Sequence, residues 1–174
     1  VEKSLKLLQT LVHGPGYGHV SPRTVELAMQ LVTRLLSLCP KREAGGVIMP
    51  PNALSDPDRV LARLDTYIAA YGSRAMLYEA WTGNPSLFEL LVLLFDRSEF
   101  LAETAIRTPD LVDDLAASGQ LRRRKNGIQI LQELQLGRGD NDQRLWLRRY
   151  HQAEFMRIGL RDILGLADFE HNLV

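Results

Sequence analysis

Two pairs of aspartates are spaced so that their carboxylates could together hold a divalent metal ion. Asp56 and Asp58 form one pair, and Asp140 and Asp142 form the other. Such a pair binds a metal when the end of a strand presents both carboxylates to one point. Here both pairs precede a helical pattern, where carboxylates bind the free backbone amides of the first turn. The spacing therefore favours helix capping over a metal site.

The four histidines are the other possible metal ligands. They are His13, His19, His151 and His171. No two of them have the four-residue spacing with which a helix binds zinc. His13 and His19 flank the glycine-rich turn 14–18 with no carboxylate or cysteine nearby, so a polar loop is the better interpretation. That turn also lacks the preceding strand and following lysine of a phosphate-binding loop.

Cys39 is the only cysteine, so the chain can form neither an internal disulfide nor a cysteine-rich zinc site. A single thiol fits a reducing compartment. It lies at an apolar helix end without a neighbouring base, which indicates a buried, inert thiol rather than a nucleophile.

The only run of like charges consists of four consecutive bases, Arg122, Arg123, Arg124 and Lys125. This basic run could contact phosphate, but no aromatic residue interleaves it. A solvated loop is one interpretation, and docking to an acidic protein or domain surface is the functional alternative. We predict that the run docks a partner together with Arg148 and Arg149. No catalytic, cofactor-binding or metal-binding residue is predicted.

The composition is that of an ordinary globular protein. The 174 residues are 45% hydrophobic and 24% charged, and 21 basic residues balance 21 acidic ones. This neutrality excludes a strongly basic nucleic-acid binder. The longest apolar run, Leu90–Phe95, is far shorter than the ~20 residues of a membrane span, and no secretory signal is apparent. Because the chain begins at Val1, we expect it to be an excised or processed piece.

Helical periodicity runs through almost the whole chain. Ser21 and Pro22 begin the second helical pattern, which Pro40 ends. The longest irregular stretch follows, over 41–54, and is the candidate linker. It divides an N-terminal helical segment, 1–54, from a central or regulatory helical region, 55–174. Val47–Met49 is prone to form a strand but is too short to count as one.

Regularly spaced capping residues divide the central region into short helices. Ser55 or Asp56 begins the first of them at Pro57, and the next four caps are Ser73, Asn84, Ser98 and Thr108. The helices that these four begin are predicted over about 74–82, 85–95, 98–107 and 109–117. The third of the five, around Leu87–Phe95, is apolar nearly all round and should be the most buried.

The C-terminal part contains the longest predicted helix. A shorter one over about 128–136 ends at Gly137, which is expected to be a left-handed cap. The long helix covers about 142–164 and ends at Gly165, and Asp168 is expected to cap one more helix that the chain end cuts short. The predicted fold is all-α: an irregular bundle of short helices plus one long C-terminal helix, with no sheet.

An ordered series of motifs resembles a known enzyme family. The motifs are Ser73-Arg74, Asn84-Pro85-Ser86-Leu87, Ser98-Glu99-Phe100-Leu101-Ala102, Thr108-Pro109-Asp110-Leu111-Val112-Asp113-Asp114-Leu115, Leu147-Arg148-Arg149-Tyr150 and Arg157-Ile158-Gly159-Leu160-Arg161-Asp162-Ile163-Leu164-Gly165. The series resembles the bifunctional glutamine synthetase adenylyltransferase/adenylyl-removing enzymes over about residues 55–174. The first 54 residues are similar only in being helical. Thr108, Val112 and Gly159 stand where that family usually has histidine, leucine and alanine.

The resemblance implies a non-catalytic helical region that couples signals from a PII-type regulatory protein and from glutamine to flanking nucleotidyltransferase domains. It implies that the parent enzyme is cytoplasmic and uses ATP and magnesium to transfer AMP to a tyrosine of glutamine synthetase in nitrogen metabolism. The family's catalytic Gly-Ser loop and Asp-x-Asp strand have no match here, so no catalytic residue and no cofactor is carried over to this chain. A stand-alone helical adaptor protein is the alternative, and neither interpretation involves nucleic acid or a membrane.

Overall fold

The structure is a computed structural model that describes residues 2–16, 20–43, 46–50 and 52–166. Within these ranges the chain forms nine α-helices: α1 Glu2–His13, α2 Pro22–Ser37, α3 Pro57–Tyr71, α4 Arg74–Gly83, α5 Pro85–Arg97, α6 Glu99–Arg107, α7 Asp110–Ala117, α8 Gly127–Leu136 and α9 Gln143–Ile163. The predicted all-α fold class is confirmed. The further helix expected after Asp168, as well as His19 and His171, lies outside the described residues.

One short element departs from the expected absence of a sheet. Strands β1 (Lys41–Glu43) and β2 (Gly46–Ile48) pair antiparallel as a two-stranded hairpin within the predicted irregular stretch. Three residues per strand are too few for alternation to be recognised, because one period of a strand already takes two residues.

The chain forms two compact units, residues 1–109 and 110–174. In the first unit α2 packs against α4, and α1 packs against α3. The division into 1–54 and 55–174 as domains stays a prediction.

The core of the first unit is built around α5. Every residue from Leu90 to Asp96 is buried, which confirms that this apolar helix is the central one. Aromatic rings surround it: the ring centroids of Trp81 and Phe88 lie 5.2 Å apart, and those of Tyr67 and Phe95 lie 5.7 Å apart. Burial of such side chains is the main force that stabilises the unit.

The Ser73-Arg74 motif joins α4 to the end of α1. The Arg74 guanidinium donates hydrogen bonds to the backbone carbonyls of Thr10 and Leu11, at 2.8 and 3.2 Å. The Tyr78 hydroxyl donates to the same Leu11 carbonyl at 2.7 Å. Carbonyls near a helix C-terminus lack intrahelical partners, so these side chains satisfy them.

Most predicted caps are confirmed by their hydrogen bonds. The side chains of Ser21, Asp56, Asn84 and Ser98 each accept a bond from the backbone amide three residues later. Ser73 precedes α4 without a side-chain capping bond.

The predicted cap at Thr108 is wrong. Thr108 ends α6, and its hydroxyl donates back to the carbonyl of Thr104 at 2.7 Å, while α7 begins only at Asp110. A threonine hydroxyl can bond either forward to an amide or back to the preceding turn, and here the backward bond forms.

The second unit consists of α7, α8, α9 and two short 3₁₀ turns, Gln120–Arg122 and Gly137–Gly139. Gly137 is not the left-handed cap that we predicted, because its φ is −70°. A Cβ at this position would overlap the indole ring of Trp146, so glycine is required here by close packing. Gly165, which follows α9, does adopt a left-handed conformation with φ +62°.

None of the helices among the described residues is both long enough and apolar enough to cross a membrane.

Candidate docking site on the second unit

Two buried arginines on α9 hold the loop that precedes α8. Arg161 donates to the backbone carbonyls of Leu121 and Arg123, at 2.8 and 3.2 Å. Arg157 donates to the same Arg123 carbonyl at 3.2 Å. Because the arginines lie four residues apart, both project from one side of α9 toward this loop. The arginines of the Arg157–Gly165 motif therefore have a structural role.

Lys125 lies at the centre of an ion-pair cluster. Its ammonium group forms salt bridges with Glu133 on α8, at 2.8 Å, and with Glu154 on α9. Glu154 also accepts from Arg157 at 2.9 Å. Only 8% of the Lys125 side chain is exposed, so the cluster is largely shielded from solvent.

Protonation in this cluster is set by burial and by the neighbouring charges. Burial by itself would raise the pKa of Glu154, but bonds from Arg157 and Lys125 outweigh it and lower this pKa below its usual range. Burial, together with a hydrogen bond to Glu133, raises the pKa of the Tyr150 hydroxyl. That hydroxyl donates to Glu133 at 2.9 Å. Glu154 is therefore ionised and Tyr150 is neutral at neutral pH.

A groove of about 280 Å³ lies between α8 and α9, next to the cluster. Ile130 and Leu134 line it from α8, and Leu147 and Ile158 line it from α9. The remaining lining residues are polar, aromatic or charged: Arg124, Lys125, Tyr150, His151, Glu154, Arg157 and Arg161. The groove thus combines apolar walls with an excess of positive charge.

The predicted docking residues lie in different environments in the structure. Arg123 and Arg124 are exposed, and Arg124 lines the groove. Lys125 lies in the ion-pair cluster instead of in solvent. Arg148 and Arg149 are exposed on α9 and do not line the groove, while Arg122 ends a 3₁₀ turn. Their docking role stays a prediction.

Sequence reasoning did not single out Glu133, Glu154 and Tyr150 as members of a site. Their partners are eight to 29 residues away in the chain, at Lys125 and Glu133. The only feature of the sequence that pointed to this site was the four-residue spacing of Arg157 and Arg161 within the motif.

The two aspartate pairs bind backbone and side-chain donors. Asp56 accepts from the Arg59 amide and Asp142 from the Leu145 amide, each at 3.0 Å. Asp58 accepts from the Ser4 hydroxyl at 2.7 Å. The capping interpretation is thus confirmed for Asp56 and Asp142. In the described part of the chain, no group of three or more His, Cys, Asp or Glu residues is arranged to hold a metal ion.

Cys39 is half-buried, and its thiol contacts the carbonyl of Leu35 at 3.5 Å. Burial, followed by the charge of Asp58, raises the pKa of this thiol. The reactive thiolate is therefore disfavoured, in keeping with the predicted inert thiol.

Comparison with known proteins gives a consistent picture. The family model of glutamate–ammonia ligase adenylyltransferase matches residues 88–173. A bifunctional glutamine synthetase adenylyltransferase/adenylyl-removing enzyme of Thioalkalivibrio sulfidiphilus is 28% identical over 117 residues, which cover 64% of this chain and 12% of that protein. An enzyme of the same name from Pseudomonas aeruginosa is 27% identical over 170 residues, which cover 94% of this chain and 16% of that protein. No solved structure matches.

These matches confirm the predicted resemblance. The chain spans between about one eighth and one sixth of the length of these two curated relatives. The Pseudomonas match covers 94% of the chain, so the similarity extends into the first 54 residues, where we expected only shared helicity.

Proposed function

We propose that this chain is a helical linker and regulatory region of a glutamate–ammonia ligase adenylyltransferase, because residues 88–173 match the model of that family. The parent enzyme adenylylates and deadenylylates glutamine synthetase, with ATP and magnesium bound by nucleotidyltransferase domains that flank this region. In this proposal the chain transmits glutamine and PII-type signals to those domains in the cytoplasm. The family match is the observation that carries the proposal.

The positions of the motif arginines support a docking role rather than a reactive one. Arg157 and Arg161 are buried against backbone carbonyls, where they stabilise the loop and α9. Arg148 and Arg149 of the neighbouring motif are instead exposed, on the same helix. Within the residues that the structure describes, no carboxylate lies within 4.0 Å of their guanidinium groups. Exposed, unpaired cations are suited to meet an acidic partner surface.

The test is charge reversal in the longer enzyme that contains this chain. We expect the double variant Arg148→Glu/Arg149→Glu to shift the half-maximal concentration of glutamine or of the PII-type protein by at least severalfold, because it repels the acidic surface. The measurement is AMP incorporation into glutamine synthetase across a regulator titration.

The matched control is Lys3→Glu/Lys6→Glu, which reverses two exposed cations on α1. It should leave the titration unchanged. A regulatory response that is the same in the Arg148/Arg149 variant and the wild type would contradict the proposed role.

The encoding reading frame provides an independent check. We expect it to continue past residue 174 into a Gly-Ser loop followed by an Asp-x-Asp strand. A reading frame that stops without these motifs would favour the stand-alone adaptor.

A further inference from the structure

Helix α8 is apolar but contributes no fully buried residue to the second unit. Five of its ten residues are leucine or isoleucine, yet none of its residues is buried. Two of the apolar residues, Ile130 and Leu134, form one wall of the groove, opposite Leu147 and Ile158 of α9. An apolar wall that the described part of the unit leaves partly exposed is suited to receive apolar side chains from a partner.

Among the described residues, the side chains that line the groove carry more positive than negative charge. Its lining includes four cations, Arg124, Lys125, Arg157 and Arg161, and one carboxylate, Glu154. Lys125 and Arg157 are paired with carboxylates. Among the described residues, neither Arg124 nor Arg161 has a carboxylate within 4.0 Å, and the hydrogen bonds of Arg161 go to backbone carbonyls. The charge complement of this groove is therefore an anion.

We propose that the groove between α8 and α9 binds an acidic amphipathic helix, with its apolar side chains between the two helices and its carboxylates beside the exposed Arg124. A groove between two helices is a common receptor for one face of a third helix. The volume of about 280 Å³ lies just below the ~300–1,000 Å³ typical of small-molecule sites, so it suits a few anchoring side chains. This inference rests on the proposed regulatory function and adds the chemistry of the partner.

The test is a titration of a labelled peptide with the 174-residue chain, in which fluorescence anisotropy measures binding. The probe is a labelled helical peptide with leucines along one face and glutamates beside them. One control peptide has alanine at the leucine positions, and a second has lysine at the glutamate positions. We expect binding of the leucine–glutamate peptide, and at least tenfold weaker binding of both controls.

Substitutions in the chain locate the binding site. Leu147→Glu and Arg124→Glu change groove residues and should each weaken binding of the peptide at least tenfold. Leu131→Glu and Arg138→Glu introduce the same changes at exposed positions outside the groove and should have little effect. All four positions are exposed, so circular dichroism should show that the four variants remain folded.

Several outcomes would overturn the inference. These are no binding of the leucine–glutamate peptide, equal binding of the lysine peptide, or equal losses in the groove and control variants. Binding to anionic lipid vesicles and not to the peptide would assign the groove to a membrane. Self-association that Leu147→Glu abolishes would assign it to a second copy of the chain.

Failure of the inference can be distinguished from failure of the proposed function. If Arg148→Glu/Arg149→Glu alters regulation but the peptide does not bind, only the groove inference is wrong. If the peptide binds the groove but the regulator titration is unchanged, the groove is a binding site and the proposed function is wrong.

Discussion

At the scale of single residues, Asp96 shows how one buried carboxylate joins distant parts of the chain. It accepts hydrogen bonds from the amides of Ser55 and Asp56, each at 3.0 Å, and from the Ser55 hydroxyl at 2.8 Å. Burial by itself would raise the pKa of Asp96, but these bonds and the charge of Arg97 outweigh it, so the pKa is lowered. Asp96 therefore anchors the start of α3 to the end of α5.

Replacing Asp96 with asparagine should destabilise the first unit by about 2–3 kcal/mol, because the Ser55 and Asp56 amides lose a charged acceptor whose side chain is buried. Hydrogen exchange of the α3 and α5 amides measures this local free energy of opening. The control Asp58→Asn removes an exposed carboxylate in the first turn of α3 and should cost under about 1 kcal/mol. Equal effects of the two substitutions would contradict the anchoring role.

Asp96 should also make the stability of the first unit depend on pH. Its folded-state pKa lies below the ordinary value of 3.8, so the unfolded chain binds more protons in acid. The contribution is fully present above the unfolded pKa and is lost as pH falls through the lowered folded pKa. Between about pH 5 and pH 2, the unfolding free energy should fall less steeply in Asp96→Asn than in the wild type. Parallel pH profiles would show that Asp96 does not contribute.

Gly137 is a second residue whose role depends on one contact. Gly137→Ala should destabilise the second unit by about 1–3 kcal/mol, because the added methyl group overlaps the Trp146 ring. The ring must then move, which would disturb its stacking on Tyr150, whose centroid lies 5.2 Å away. Thermal unfolding measures the loss of stability, and Trp146 fluorescence measures the movement of the ring.

The control for this substitution is Gly127→Ala, at the start of α8, where an added Cβ meets nothing within 4 Å. It should be neutral or stabilising by up to about 1 kcal/mol, because alanine favours helix. If Gly137→Ala behaves like this control, the packing argument is wrong.

At the scale of elements, local signals predicted most helix boundaries. The predicted bounds of α4 to α9 each agree with the structure to within two residues. Capping bonds join residues three apart, so they can be recognised in the sequence without knowledge of the fold. The pairing of β1 with β2 and the backward bond of Thr108 were missed because their local patterns are short or ambiguous.

The capping residues of helix α8 allow the contribution of such a local signal to stability to be measured. Asn126 accepts from the Gln129 amide at 2.9 Å, and the Gln129 side chain accepts from the Asn126 amide at 3.0 Å. Since α8 has no buried residue, this capping box should supply much of its stability. Asn126→Ala should lower the local free energy of opening by about 1 kcal/mol, measured by hydrogen exchange in α8. Asn126→Ser, which keeps a capping oxygen, should restore most of it.

At the scale of the whole molecule, the two units each depend on contacts between residues far apart in sequence. In the second unit, Lys125 joins the loop before α8 to both helices through Glu133 and Glu154. The net charge of zero gave no indication of this ion-pair cluster, because the total counts of acidic and basic residues do not show which of them are paired.

Lys125→Met should destabilise the second unit by about 2 kcal/mol, because it leaves two carboxylates without their shared cation. The measurement is hydrogen exchange in α8 and α9. Arg124→Met, at the next residue and exposed, should change stability by less than about 0.5 kcal/mol. The double variant Lys125→Met/Glu133→Gln should recover part of the lost stability. Unchanged protection of the α9 amides in Lys125→Met would contradict the role of the cluster.

The sequence by itself determined the helical class, the order of the helices, most of their caps and the family resemblance. All of these depend on residue types at short spacing, which a linear pattern records. Only the tertiary structure decided that Asp96 binds the residues before α3, that Lys125 is paired and largely buried, and that Gly137 makes room for Trp146. It also revealed the groove between α8 and α9. These contacts join residues that are up to 41 positions apart, so the folded chain, and not local periodicity, determines which groups meet.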